Sequence, residues 1–322
     1  MSSWHDFARL HHGPFEETLK TCADIGGVDL VFTSPPYCDA RTYGAAVSWT
    51  DADYQRLGDH VFAALKPGGH ALINVDAPVR KWRKGYGTER GFHPWRLMLD
   101  WAERVGFRVP DRLAFARQAV PGAFPKRFKN EWEPLIWFQR PGEDVDFFDS
   151  ETIGRKVTKS YKTQSTRKSS RNRKGESRRE STTGRRRSQA AESGMVARGT
   201  LWEYGNVGAP SGGGGAPDLV QANHSARWPY RLAADIVKCF CPPGGIACDP
   251  FTGCGTSLLA ALDNGCRFVG GDLFCRQIDE TRPDLDGAPW VEIAARLADA
   301  RYAQMTIEPR WAGLEPLEEI SE

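Results

Sequence analysis

No stretch of this 322-residue chain approaches the roughly 20 apolar residues in a row that a membrane-spanning helix needs. Residues Met1 to Gly13 also lack the apolar segment of a secretion signal, so the expected location is the cytoplasm. The eight cysteines (Cys22, Cys38, Cys239, Cys241, Cys248, Cys254, Cys266 and Cys275) include no CxxC pair. A zinc site within Cys239–Cys254 lacks both the usual two-residue gaps and a partner histidine. Buried, reduced thiols acting as small hydrophobes are therefore expected, with no metal. No complete GxGxxG is present, and no Gly-Lys-Ser/Thr follows a glycine turn, so the common phosphate-cradling loops are excluded.

Charge is present but unevenly placed. The formal total is +2, yet Arg155 to Arg187 carries 14 Lys/Arg against Glu176 and Glu180. That segment holds +12 and leaves −10 for the rest of the chain. Hydrophobic residues make up 40%, enough for a large core outside the basic stretch.

Composition divides the chain at residues 1–150, 151–219, 220–305 and 306–322. In the first part, Val28–Thr33 (VDLVFT) reads as a buried strand. A helix is predicted over Asp51–Leu65, stopped by the turn Lys66-Pro67-Gly68-Gly69, with a strand at His70–Val75. An amphipathic helix follows over Trp95–Val105, closed by Gly106. Arg112–Arg117 and Pro134–Gln139 then suit two paired strands. The second part is polar and aperiodic, and ends in the loop containing Gly212–Gly215. Order returns as helix Pro229–Phe240, strand Ile246–Asp249, helix Thr256–Asn264, strand Arg267–Leu273 and helix Trp290–Tyr302. Such alternation predicts an α/β fold with a mostly parallel, doubly wound, Rossmann-like sheet.

Two segments carry chemistry. Thr33-Ser34-Pro35-Pro36-Tyr37 follows a strand, at the sheet edge where open α/β folds bind ligands. The prolines stiffen the backbone and offer carbonyls without competing N–H donors. An exocyclic amine needs acceptors, which the Ser34 hydroxyl and the Pro35 carbonyl supply. Tyr37 offers a face on which an extruded base can stack. A rigid strand-to-loop turn is the plainer reading of the same residues. The second segment is Asp249-Pro250-Phe251-Thr252-Gly253-Cys254-Gly255-Thr256-Ser257, between a strand and a helix. Gly253 and Gly255 permit a tight turn and close approach of a ligand to the backbone. Asp272, 23 residues beyond Asp249 at the end of the next strand, is placed to accept from two ribose hydroxyls.

Together SPPY and DPFTGCGTS resemble the motifs of amino-type DNA methyltransferases. In that family the first motif is catalytic and the second, of the F-x-G-x-G kind, binds S-adenosylmethionine. The order here, with the catalytic motif first and the cofactor motif last, resembles the circularly permuted β class. Leu65-Lys66-Pro67-Gly68-Gly69 is similar to the turn before the family's fifth strand. Asn130-Glu131-Trp132-Glu133-Pro134-Leu135-Ile136 is similar to the segment closing the base pocket. Asn223-His224-Ser225-Ala226-Arg227-Trp228-Pro229 is similar to the motif holding the methionine end, which implies Asn223 and His224 as cofactor contacts beside Asp249, Pro250, Phe251, Gly253, Gly255, Thr256 and Asp272. One departure is Gly13-Pro14, where many members have Gly-Asp.

The resemblance implies a catalytic set of Ser34, Pro35, Pro36 and Tyr37, and Ser-Pro-Pro-Tyr is associated with N4 of cytosine rather than N6 of adenine. Double-stranded DNA is the implied partner, with a cognate restriction endonuclease as a second one. The basic stretch lies where the class keeps its target-recognition region. Arg167, Lys168, Arg171, Arg173, Lys174, Arg178, Arg179, Arg185, Arg186 and Arg187 are its candidate DNA contacts. A solubilising tail is the plainer reading there. Other substrates for the same scaffold are adenine, an RNA base or a glutamine amide, and a non-catalytic DNA-binding relic is the remaining alternative.

Overall fold

The computed structural model describes residues 3–37, 49–77, 79–81, 88–116, 128–145, 147–156, 194–204, 228–274, 288–303, 311 and 314–317. The chain divides into two compact units, Met1–Phe147 with Thr200–Glu322, and Phe148–Gly199.

The larger unit is built on an eight-stranded sheet. In chain order its elements are β1 (Ala8–His12), α1 (Phe15–Asp24), β2 (Val28–Thr33), α2 (Asp51–Ala64), β3 (Leu65–Asn74), the hairpin β4 (Val79–Lys81) and β5 (Thr88–Arg90), and α3 (His93–Asp100). The last turn of α3 widens at Trp101–Val105. Then come β6 (Arg108–Ala116) and β7 (Trp132–Gln139). In the smaller unit lie β8 (Arg155–Lys156) and β9 (Met195–Val196), and the larger unit resumes with β10 (Leu201–Glu203). Finally there are α4 (Tyr230–Phe240), β11 (Ile246–Asp249), α5 (Thr256–Asp263), β12 (Arg267–Asp272) and α6 (Trp290–Ala303).

The strand order is β1-β12-β11-β2-β3-β7-β6-β10. The first five are mutually parallel, β7 runs antiparallel to β3 and β6, and β10 adds parallel to β6. Every residue of β2 is buried, as a central strand covered on both faces requires. Val31 faces the cluster formed with Leu19 of α1, Leu57 and Val61 of α2 and Leu97 of α3. Phe32, on the opposite face, meets Trp228 just before α4 at 6.0 Å. Trp101 is fully buried and lies so close over α2 that a Cβ at Gly58 would sit 2.4 Å from its Nε1. Its indole N–H donates to the Tyr54 carbonyl at 2.9 Å. The apolar stripe of α2 is thus interrupted by glycine because an indole takes the space.

Polar groups fix the register inside this core. Asp29 of β2 is buried, paired with Lys66 Nζ at 3.0 Å, and accepts the Ile246 N–H of β11 at 2.7 Å. His70 of β3 accepts from Trp137 Nε1 at 3.2 Å, and its other nitrogen lies 3.0 Å from the Phe147 carbonyl. Burial lowers its pKa, so the ring is neutral, with Nε2 carrying the proton that the carbonyl accepts.

Two expectations change. Lys66-Pro67-Gly68-Gly69 is not a turn outside the sheet, because β3 starts at Leu65, paired with Val28 of β2. The Gly68 N–H donates to Arg140 and the Arg140 N–H returns to Gly69, both at 2.9 Å, so the stretch runs on as irregular strand. Strand β6 starts four residues earlier than the sequence pattern suggests, with its register shift between Arg108 and Asp111, the segment holding Pro110.

Within the smaller unit, β8 and β9 pair antiparallel, Arg155 with Val196 and Lys156 with Met195. The start of the basic stretch is thus joined to a segment eight residues beyond its end as a short ribbon. Residues 157–193, with the ten candidate DNA contacts from Arg167 to Arg187, lie outside the described residues. Within 151–219, residues 201–203 form β10 of the main sheet. The six described cysteines, Cys22, Cys239, Cys241, Cys248, Cys254 and Cys266, are all buried. Among the described residues no helix is long and apolar enough to cross a membrane.

Candidate active site

Five parallel strands present their carboxyl ends along one edge, and both sequence motifs lie there. Thr33 ends β2 and Asp249 ends the adjacent β11. The Thr33 hydroxyl donates to Asp249 Oδ1 at 2.5 Å, and the Phe251 N–H donates to the same oxygen at 3.0 Å. The residue before Ser34 is therefore tied directly to the glycine loop. Burial raises the Asp249 pKa to about 6 against the pull of those donors.

The loop itself is shaped by backbone bonds. The Thr252 hydroxyl caps the Asp249 carbonyl at 2.7 Å, and the Thr252 N–H reaches the Gly271 carbonyl of β12 at 2.8 Å. Gly253 and Gly255 have φ of +52° and +89°, the left-handed region where a side chain adds strain. Helix α5 then starts at Thr256, with Gly255 at its N-cap. Pro250 and Thr256 are buried, and the half-buried Phe251 packs against Phe15 and Trp49. Asp272, at the end of β12, accepts the Gly253 N–H at 2.9 Å and the Phe274 N–H at 2.8 Å. It is 5% exposed, and burial raises its pKa to about 6. Farther along the edge, His12 ends β1 opposite Asp272, and the Gly13 N–H donates to the Asp272 carbonyl at 3.2 Å.

On the other side of β2, Ser34 is half-buried while Pro35, Pro36 and Tyr37 are buried. Tyr54 of α2 donates its hydroxyl to the Pro36 carbonyl at 2.7 Å, holding the diproline turn. The Ser34 hydroxyl donates to the Tyr37 hydroxyl at 3.3 Å. The Tyr37 hydroxyl in turn lies 3.1 Å from both Asn74 Oδ1 and Glu133 Oε2. The Asn74 amide orientation is fixed, since its Nδ2 donates to the Pro134 carbonyl at 2.9 Å while Oδ1 accepts Trp228 Nε1 at 3.1 Å. Glu133 is only 4% exposed. The Tyr37 ring is 5% exposed, so a base stacking on it must displace what covers it.

This cluster joins β2, β3, β7 and the approach to α4, residues far apart in sequence. Of this cluster the sequence motifs single out Ser34 and Tyr37, include Thr33, Glu133 and Trp228 only as members of longer segments, and leave out Asn74. Their one-dimensional signal is weak, because each becomes functional through a neighbour on another strand. Asn223 and His224 lie outside the described residues.

Residues 28–280 match the DNA methylase family that groups N6 and N4 enzymes. The chain belongs to that family. This DNA methylase is similar to the orphan methyltransferase M.BamHII of Bacillus amyloliquefaciens, with 23% identity over 80% of this chain and 87% of that one. It is similar also to the type II methyltransferase M.BglII of Bacillus subtilis, with 24% identity over 85% and 68%. Its fold resembles that of TTHA0409 from Thermus thermophilus, solved with S-adenosyl-L-methionine, at TM-score 0.54, 20% identity, and 94% and 98% coverage. It also resembles the cytosine-N4-specific PvuII DNA methyltransferase, at TM-score 0.55, 16% identity, and 91% and 93% coverage. The methylase uses S-adenosylmethionine and acts on DNA.

The cofactor loop suits that molecule. A glycine-lined backbone turn is flanked by two buried acids, Asp249 and Asp272, and the loop from Asp249 to Ser257 contains no lysine or arginine. The two carboxyl groups fit a ligand offering hydroxyls and positive charge.

Proposed function

We propose that this methylase transfers a methyl group to N4 of an extruded cytosine in double-stranded DNA, with Ser34, Pro35, Pro36 and Tyr37 as the catalytic set. The observation carrying this reading is the Thr33–Asp249 bond, which ties the SPPY strand end to the glycine loop of the cofactor motif. Two separately encoded motifs thus become one site. In it, Gly253 and Gly255 let the cofactor approach the backbone, Asp272 accepts from the ribose hydroxyls, and Pro250, Phe251 and Thr256 wall the loop. Asp249 acts chiefly by holding the loop to β2. When bound, S-adenosylmethionine supplies the methyl group as an electrophile. The chain's own contribution is to accept the amine hydrogens at Ser34 Oγ and the Pro35 carbonyl, aligning the nitrogen lone pair.

Cytosine is favoured because the motif reads Ser-Pro-Pro-Tyr, the form associated in the family with N4 of cytosine. Adenine N6 is the second reading, since both amines present the same donor face. The basic stretch from Arg155 to Arg187 is assigned to DNA binding, and the relatives that are type II methyltransferases support a cognate endonuclease as partner. Residues 1–150 and 220–305 act as the catalytic and cofactor halves of one domain. The test is transfer of tritium from labelled cofactor to unmethylated bacterial DNA, followed by nucleoside chromatography. Label is expected to co-elute with N4-methyldeoxycytidine, whereas label at N6-methyldeoxyadenosine supports the second reading.

A further inference from the structure

We infer that Glu133 is the terminal proton acceptor of the reaction, reached from the target amine through the hydroxyls of Ser34 and Tyr37. The inference rests on the assignment of Ser34 to the amine, and holds for either base.

The chemistry requires an acceptor. As the N–CH₃ bond forms with the amine's lone pair, the S–CH₃ bond breaks and its electron pair stays on sulfur. The nitrogen then carries a positive charge and one proton too many. A protein group can take that proton, and the adjoining acceptors are mostly poor bases. Prolyl carbonyls and the Asn74 carboxamide oxygen do not hold a proton near neutral pH, and Asn74 Oδ1 already accepts the Trp228 N–H. Glu133 brings a carboxylate into direct contact with the Tyr37 hydroxyl.

The directions of the hydrogen bonds match this path. Ser34 donates to Tyr37 at 3.3 Å and Tyr37 to Glu133 at 3.1 Å, leaving a Ser34 lone pair toward the amine. One proton passes from nitrogen to Ser34, one from Ser34 to Tyr37 and one from Tyr37 to Glu133. Both hydroxyls end as they began, nitrogen becomes neutral and the carboxylate becomes a carboxylic acid. The bonds are longer than the usual hydroxyl distance of about 2.7–2.8 Å. Catalytic bonds without substrate are often loose and shorten in the reacting complex. Glu133 acts through Tyr37, whose hydroxyl it contacts.

Single-turnover transfer in Glu133→Gln and Tyr37→Phe tests the path. Gln preserves shape and still accepts from Tyr37 but cannot keep a proton, while Phe removes the middle link. Each variant is expected to lose on the order of 10²-fold in transfer rate, the range of general-base contributions. Cofactor affinity and melting temperature should match wild type, and the double variant should be no slower than either single, as for residues acting as one unit. Difference infrared spectra of one wild-type turnover should also gain a carboxylic C=O band that Glu133→Gln lacks. A wild-type rate in Glu133→Gln, or additive losses in the double variant, overturns the relay. If Ser34→Ala is also fully active, the underlying site assignment fails with it; if Ser34→Ala alone is slow, only the relay fails.

Discussion

In the proposed reaction Ser34 meets two demands: its oxygen accepts from the target amine while its proton is held by the Tyr37 hydroxyl. Ser34→Ala deletes both functions, and transfer should fall by about 10²-fold, the cost of losing one aligned bond to a reacting group. Tyr37→Ala should be at least as harmful, since it also empties a buried position joined to Asn74 and Glu133. Neither residue belongs to the glycine loop, so both variants should bind cofactor with near wild-type affinity by calorimetry. Equal turnover in both would remove them from the reaction. At the loop, Gly253→Ala places a side chain at φ +52° and should weaken cofactor binding. Asp272→Ala should cost roughly 1.5–3 kcal/mol of binding, the worth of a hydrogen bond to a charged group.

At the scale of elements, the edge formed by β11 and β12 predicts a pH dependence. Asp249 and Asp272 have folded pKa values raised to about 6 by burial, above the usual 3.8. Burial favours their protonated forms. Their contribution to apo stability is therefore fully present below pH 3.8 and is lost as pH rises through 6. Cofactor binding should run the other way, strengthening as the carboxylates ionise around pH 6. Calorimetric Kd values on either side of that pH check it, and Asp272→Asn should show weaker binding with a flatter profile. The strands carrying this edge were legible as sequence: β2 and β11 have their expected bounds, because short β-branched or apolar runs between turn residues mark buried strands. Less legible was β1, whose Ala8–His12 mixes small, basic and apolar residues and becomes a strand only by pairing with β12. The three-residue β10 is of the same kind, held by one buried Trp202 against β6. The Ser34–Tyr37–Glu133 chain was legible only at its first two members, since the third arrives on β7 through the sheet order.

On the scale of the whole molecule, charge is divided between the arginine-rich stretch at +12 and the remainder of the chain at −10. Deleting 157–193 should weaken DNA binding and flatten its salt dependence, each lost phosphate contact lowering the log–log slope by about 0.9. Cofactor affinity should persist, because the β8–β9 ribbon that bounds the deletion belongs to the smaller unit and the cofactor loop to the larger. An unchanged salt slope and affinity would remove the stretch from the DNA contact. Replacing Arg185, Arg186 and Arg187 by lysine separates charge from base reading, because lysine keeps the charge and loses the bidentate fork. Relaxed site choice at equal affinity is expected if the stretch reads sequence. Methylation of a cytosine amine at this joined edge is read most directly from the mass spectrum of nucleosides from DNA of cells expressing the chain. N4-methyldeoxycytidine should be present with the wild type and absent with Ser34→Ala. N6-methyldeoxyadenosine in its place, or N4-methyldeoxycytidine undiminished in Ser34→Ala, would contradict it.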